Sequence, residues 1–350
     1  MARVGIRDVA ARAGVSPTAV SFAMNGSGSL SEETRARILE AANELGYRPN
    51  QAARSLKSGW TKTIALQISG QNHGGMVHRD ALSPFQVELL NAASTAALKM
   101  GNLLVVIPES AAKVMDVRGL PLDALVLIDP TGRQPLAEAI RSEGKPVVSI
   151  GRPSGRARLA DVVVDNDFGA IMDSAVRHLL SSGYERPAYV AGGGRGQATY
   201  RRDLRQAFRS ACKRHGAGVT VRDLADESYE SARNEITRIL TSRTESIPDS
   251  FITFGDDTAL AALGAASDLG LRVPQDLGVL SLATSVTLAF QLARPALTRV
   301  ETHGDQQGKQ AVEAAIALVN GTDAPPERVT TDHTLIPRGS TDKFGHLATP

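Results

Sequence analysis

The side chains equipped for chemistry in this 350-residue chain are concentrated at its N-terminal end, and they are binders rather than catalysts. Ser16, Thr18, Ser21, Asn25, Ser31 and Asn50 offer hydroxyl and amide groups within the first 50 residues, interspersed with arginines from Arg3 to Arg48. Such groups, together with helix N-termini, hold phosphate oxygens and donate to base edges. Residues 1–62 contain nine Lys/Arg against five acids (Asp8, Glu32, Glu33, Glu40, Glu44), a surplus of +4, so with a total of +2 the remainder carries −2. A basic head on a slightly acidic body is the asymmetry of a phosphate-binding module joined to a module with another task.

The elements that must position these groups follow from spacing. Val9, Ala10 and Ala13 line one helical face, and Gly14-Val15 makes a tight turn. Ser16-Pro17 then opens a second helix with a cap and a proline at its first position. Two short helices around a glycine-containing turn form a helix-turn-helix, whose second helix is the one built to enter the DNA major groove. A third helix is expected from a Ser31 cap, with Glu32 and Glu33 complementing the helix end, a buried face of Ile38, Leu39, Ala42 and Leu45, and a stop at Gly46. Residues 49–58 have helix-forming composition but only about two and a half turns, marginal alone in water. That segment is expected to fold only when something supports it.

Other chemistries find little support. A single cysteine, Cys212, rules out an intramolecular disulfide and a cysteine-based zinc finger, and reads as a packed small hydrophobe. His73, His78, His303 and His346 fall in loops or chain ends with no metal-ligand spacing, and the glycine cluster at 192–196 lacks a Walker lysine. No enzyme activity, cofactor or metal is expected. Nothing approaches the ~18 apolar residues that span a bilayer, and the polar N-terminus is no signal peptide. The expectation is a cytoplasmic protein with no membrane partner.

From residue 63 apolar strands alternate with helices. Strands are expected at 63–68, 103–107, 124–128, 146–150, 161–164, 188–191, 250–253 and 278–282, with helices including 84–100, 168–180, 204–214, 228–240 and 257–269. Continuous apolar strands between helices mean parallel sheets covered on both faces. So long a run exceeds one sheet and predicts two lobes. The segment 108–123 leaves room for a stub of crossover helix only, and 69–82 reads as an extended polar loop.

The N-terminal motifs closely resemble the lactose-repressor (LacI/GalR) family of bacterial transcription regulators. Asp8-Val9-Ala10, Ala13-Gly14-Val15-Ser16, Val20-Ser21, Asn25-Gly26, Leu45-Gly46-Tyr47, Pro49-Asn50 and Ala53-Arg54-Ser55-Leu56 fall at the family's spacing. Val164-Asp165-Asn166, 269–276 and Arg338-Gly339-Ser340-Thr341 extend the match through the body. The resemblance implies an all-α helix-turn-helix domain (1–48), a hinge helix and linker (49–61), and a two-lobed α/β domain of doubly wound parallel sheets (62–338), like a periplasmic binding protein. It assigns 62–160 and 291–322 to the N-terminal lobe, 161–290 and 323–338 to the C-terminal lobe, and leaves 339–350 as a disordered tail.

It also implies a homodimer on double-stranded operator DNA with a small-molecule effector, a sugar or related metabolite, between the lobes. Pro17 and Thr18 occupy base-reading positions, with Ser21 a further polar candidate, while Ser16, Ser21, Asn25, Ser31 and Asn50 match phosphate-binding ones. Phe22 stands where many relatives carry arginine. It offers apolar contact, as to a thymine methyl, or packs inward. Leu56 matches a leucine that wedges into the minor groove, with Ala53 small enough for close approach and Arg54 between them; the alternative is a packing residue of a short helix. Effector candidates are Asp129, Arg152, Asn166, Arg202 and Asp256, with Arg201 and Arg205 as alternatives for the family's arginine. Ser281-Leu282-Ala283-Thr284 replaces the family's Gly-aromatic-Asp-Asp, so two carboxylates are absent. The loss points to an acidic, phosphorylated or less polar ligand, or to a regulator that answers to none and uses its lobes only to dimerise.

Overall fold

The computed structural model describes residues 4–25, 28–47, 60–68, 82–109, 119–155, 158–191, 199–224, 228–243, 246–283, 287–322 and 325–345, in two compact units, 1–62 and 63–350. In the first unit, α1 (Ile6–Ala13), α2 (Pro17–Asn25) and α3 (Glu32–Glu44) enclose Val9, Ala10, Ala13, Val20, Ala23, Ile38, Ala41 and Ala42. The expected punctuation is all present. Gly14 is left-handed at φ 66°, Ser16 Oγ accepts the Ala19 N–H at 3.2 Å, and Ser31 Oγ accepts the Thr34 N–H at 3.2 Å. The expected hinge segment, with Asn50, Ala53, Arg54 and Leu56, lies outside the described residues, as does most of the 69–82 loop.

The second unit holds two six-stranded sheets. The first contains β1 (Thr63–Ile68), β2 (Leu103–Pro108), β3 (Ala124–Ile128), β4 (Val147–Ile150), β5 (Val162–Asn166) and β11 (Arg328–Thr331), ordered β11-β5-β4-β3-β1-β2 and parallel throughout. Alternate residues of its strands feed opposite cores, as the two-residue strand period requires. Ile64, Leu66, Val126 and Val148 pack against α4 (Pro84–Lys99) and α11 (Gly304–Asn320), while Ala65, Leu125, Leu127 and Val147 pack against α5 (Pro135–Ser142).

The second sheet contains β6 (Pro187–Ala191), β7 (Thr220–Asp223), β8 (Ser250–Phe254), β9 (Gly278–Ala283), β10 (Thr298–Glu301) and β12 (Thr334–Ile336), ordered β12-β10-β9-β8-β6-β7. Only β12 runs antiparallel, against β10. One face carries α6 (Phe168–Ser181) and α7 (Thr199–His215), the other α8 (Tyr229–Leu240) and α9 (Asp256–Asp268), with the short α10 (Leu288–Leu292) following β9. All eight expected strands form within two residues of their predicted limits. Cys212 is buried between α7 and the sheet.

Two expectations are corrected. The lobe boundaries were misdrawn: β5 and β11 belong to the first sheet and β10 to the second. Val148 pairs with Val162 and Val164 with Val329, so β5 and β11 extend the edge next to β4. Val300 pairs with Leu282, which holds β10 against β9. The chain therefore crosses between lobes at Asp167, at Thr302-His303 and at Asp332-His333, three short links. The tail is likewise not disordered from 339. Gly339–Thr341 is a 3-10 turn in which Ser340 Oγ donates to the Val279 carbonyl at 2.5 Å and accepts from the Thr298 N–H at 2.8 Å. Those bonds satisfy buried polar groups that would otherwise be stranded.

Helix α11 packs unusually close on α4. A methyl group on Gly308 would sit 2.3 Å from the Leu89 carbonyl oxygen, which is backbone and has nowhere to move. Gly308→Ala should therefore push the helices apart and cost about 1–3 kcal/mol, the scale of overpacking a core, read as a lowered urea midpoint at unchanged slope. Unchanged stability would show that this helix pair tolerates separation.

Candidate nucleic-acid interface and inter-lobe cleft

The head spends much of its polarity internally. Asp8 Oδ2 accepts the Gly5 N–H at 2.8 Å, Arg12 pairs with Glu44 at 2.6 Å, and Arg35 donates to the Ala23 carbonyl at 3.1 Å. What α2 leaves outside is an uncharged surface, because its sequence PTAVSFAMN contains no ionisable side chain. Val20 and Ala23 point into the core, whereas Pro17, Thr18 and Phe22 are exposed and Ser21 is half-buried. The Phe22 ring neither sinks into the core nor projects freely. It is 37% exposed and lies against Gly28, where a β-carbon would come within 2.7 Å of the ring. Gly28 also sits at φ 75°, so both its backbone and the ring above it require glycine. Ser31 Oγ is engaged with Thr34, and nothing is described of the Asn25 side chain.

In the body, ligands of open parallel sheets bind beyond the carboxyl ends of strands. Asp129 follows β3 at φ 43°, its carboxylate lying over Gly151, where any β-carbon would meet Asp129 Oδ1 at 2.4 Å. Arg152 follows β4 and Asn166 ends β5, so three candidates stand on adjacent strands of the first sheet. Asn166 is already committed: its Oδ1 accepts from Thr331 Oγ1 at 3.0 Å, and Thr331 in turn accepts from Gln307 Nε2 at 3.3 Å. That network joins β5, β11 and α11 beside the lobe crossings.

On the facing edge, Asp256 begins α9 and is nearly buried. Its Oδ2 accepts the Thr287 N–H at 3.0 Å, while Oδ1 has no hydrogen-bond partner among the described residues. Burial pushes this carboxyl above the usual aspartate range, offset in part by the Thr287 bonds and the Arg299 charge. Arg202 is exposed, whereas its neighbour Arg201 is buried, its guanidinium 5.5 Å from the centre of the Tyr200 ring, which stacks on Phe254. Arg205 pairs with Asp223 at 2.6 Å. Helical phase could have told these arginines apart. Arg201 lies three and seven residues before Leu204 and Phe208, both in the core, but the helix was expected to start only at 204.

Two residues not singled out from sequence join the edges. Asp203 on α7 forms an ion pair with Arg152, and Thr199 Oγ1 donates to the Arg152 carbonyl at 2.6 Å. The C-terminal edges of the two sheets therefore face one another and touch. Nearby Asp165, 4% exposed, accepts its neighbour's N–H at 2.9 Å and lies 4.0 Å from Arg328. Burial pushes its carboxyl up to about 6 against the restraining effects of Asn166 and Arg328. Of the two positions where the family pattern has acids, Ala283 ends β9 and Thr284 lies outside the described residues, while Ser281 earlier on the strand is buried and bonds the Gly255 carbonyl at 3.4 Å. Guanidiniums, carboxylates and a stacked aromatic pair suit reversible binding of a polar small molecule. Among the described residues no His/Cys/Asp/Glu group is placed to hold a metal, and no helix is long and apolar enough to cross a membrane.

The folded Asp165 holds its proton more tightly than an ordinary aspartate near 3.8, so its contribution to stability is lost as pH rises from about 4 to about 6. Asp165→Asn removes that loss. The variant's stability advantage over wild type should grow between pH 4 and pH 7, by up to about 3 kcal/mol, in urea unfolding at a series of pH values. A pH-independent difference would show that another group titrates.

Residues 5–50 match the family model for bacterial regulatory proteins of the lacI family, and residues 176–341 match a periplasmic binding protein-like domain. The chain is 27% identical over 347 residues to the HTH-type transcriptional regulator DegA of Bacillus subtilis (strain 168), covering 96% of this chain and 97% of the relative. It is 28% identical over 341 residues to the regulator CelR of Thermobifida fusca, covering 95% and 96%. Among solved structures, a CelR–cellobiose complex superposes with a TM-score of 0.66 at 26% identity, covering 97% of this chain and all of that one. A lac repressor dimer bound to operator and an anti-inducer superposes at 0.72 and 21% identity, covering 97% and 99%, a likeness of fold.

Proposed function

We propose that this chain, whose residues 5–50 match the lacI family of bacterial regulatory proteins, is a homodimeric repressor that binds a pseudo-palindromic operator and is controlled by a small polar effector between its lobes. The observation that carries the reading is the head: a saturated three-helix core presenting the uncharged outer face of α2. Thr18 and Ser21 supply hydroxyls for base edges, and Phe22 supplies apolar contact in place of an arginine's bidentate reach to guanine. Pro17 completes that face. Backbone phosphates fall to Ser16, Asn25, Ser31 and Asn50, and the minor-groove wedge to Leu56, flanked by Ala53 and Arg54.

Dimerisation is supported by an exposed apolar surface on the first lobe. Val87 and Leu98 of α4, Met100 beyond it, and Leu103, Val105 and Val106 of β2 are all exposed, and β2 is the outer strand of its sheet. Apolar edges of this kind are normally covered, and the lac repressor of the same fold is a dimer. A second copy is the occupant that a two-fold operator requires. Val105→Glu should dissociate the protein to monomers in sedimentation and weaken operator binding at least tenfold. Undiminished specific binding by a monomer would refute the dimeric reading.

The effector reading rests on Asp256, whose buried Oδ1 has no hydrogen-bond partner among the described residues and so can accept from a ligand's donor. Asp129, Arg152 and Arg202 complete the set, with Asn166 held in the crossing network. CelR is described with cellobiose bound; a sugar or related metabolite is the corresponding class here, with induction as the expected sign. A metabolite that binds the purified protein should alter operator affinity by its differential affinity for the two states, and Asp256→Ala should weaken its binding at least tenfold. A metabolite that binds tightly yet leaves operator affinity unchanged would favour a regulator whose lobes serve only dimerisation.

A further inference from the structure

We propose that Arg152 and Arg202 form an anion subsite that the protein's own Asp203 occupies in this structure, and that the effector carries a carboxylate or phosphate group that takes Asp203's place. The inference rests on the reading of the inter-lobe edge as the effector site and adds a chemical class to it.

The geometry is that of a poorly satisfied occupant. Asp203 Oδ2 meets one terminal nitrogen of Arg152, and Oδ1 lies 3.5 Å from Arg202 Nε, so neither guanidinium is gripped in the paired, parallel fashion that suits it. A carboxylate tethered to α7 cannot turn to improve this. A free carboxylate or phosphate can, and phosphate brings three acceptors. The pair is also cheap to break, because the Arg152 side chain is 45% exposed and such ion pairs contribute little in partial contact with water.

Arg152 would not drift away once Asp203 let go. Its carbonyl is held by Thr199 Oγ1 at 2.6 Å, and Gly151 before it donates to the Val164 carbonyl at 2.8 Å. Both bonds are independent of Asp203 and hold at the junction the backbone from which the guanidinium projects. Displacing Asp203 also uncovers a charge imbalance. Arg152, Arg202 and, beyond Asp165, Arg328 would then stand against two carboxylates, that of Asp129 over the neighbouring Gly151 and that of Asp165, which burial already disposes to take up a proton. An entering anion meets net positive charge. Asp203 thus competes with the effector and sets a threshold for its binding.

The test uses the full-length protein titrated calorimetrically with inorganic phosphate and, separately, with acetate, which distinguishes a phosphorylated from a carboxylic effector. Asp203→Asn, nearly isosteric, should bind one of the two at least tenfold more tightly than wild type, and adding Arg152→Gln should abolish the gain. Asp203→Ser is measured in parallel so that one misfolded variant does not decide the result. No gain in either variant, or a gain that survives Arg152→Gln, overturns the proposal. If the gain is absent while a neutral metabolite still shifts wild-type operator affinity, the anion subsite falls and the effector reading stands. If no metabolite or anion in the panel shifts operator affinity, the effector reading falls and takes the subsite with it.

Discussion

The arrangement of the body depends on where two strands late in each sheet find their hydrogen-bonding partners. A parallel sheet grows only by chain that returns to its starting end, and the open edge beside β4 is filled by β5 and then by β11, from opposite ends of the second lobe's sequence. Because β10 and β12 complete the other sheet, the chain must pass between lobes three times, within two residues at each passage. Short links at a common border bring the carboxyl ends of both sheets opposite one another. Every residue discussed as an effector contact owes its position to that constraint.

The head solves a different problem with a small core. Eight buried residues, mostly alanine and valine, let three short helices approach closely, and serine caps at the starts of α2 and α3 satisfy amides that would otherwise be left open. Arg12 and Arg35 bond within the head, to Glu44 and to the Ala23 carbonyl. The outer face of α2 has hydroxyls, a proline and an aromatic ring, groups that offer hydrogen bonds and apolar contact without a charge.

Between the lobes the economy of charge is tighter than the loss of two family acids implied. Asp203 and Asp165 place carboxylates beside Arg152, and Asp256 keeps one oxygen bonded to Thr287 while the other is buried. Asp256 caps the chain entering α10, whose Leu288 and Leu292 are exposed on its outer side. Asp256 thereby ties the start of α9 to the start of α10.

The sequence by itself determined the local structure and the family resemblance. Capping serines, Gly14 and the apolar spacing of α1 to α3 specify a helix-turn-helix through interactions a few residues apart, and continuous apolar strands specify parallel sheets. It did not determine which sheet β5, β10 and β11 join, because 162–166, 298–301 and 328–331 have the same short, β-rich texture and either sheet has an edge to fill. Nor did it show that Arg201 rather than Arg202 turns inward, since the helix begins a turn earlier than its apolar pattern marks, or that 339–345 is packed, since Ser340 and Thr341 look like tail residues until the Thr298 and Val279 backbone groups that need them are in place. Asp203 was invisible for the same reason. Its partner lies 51 residues away on the other lobe, and an ion pair between lobes is a property of how two sheets face, which only the assembled tertiary structure decides.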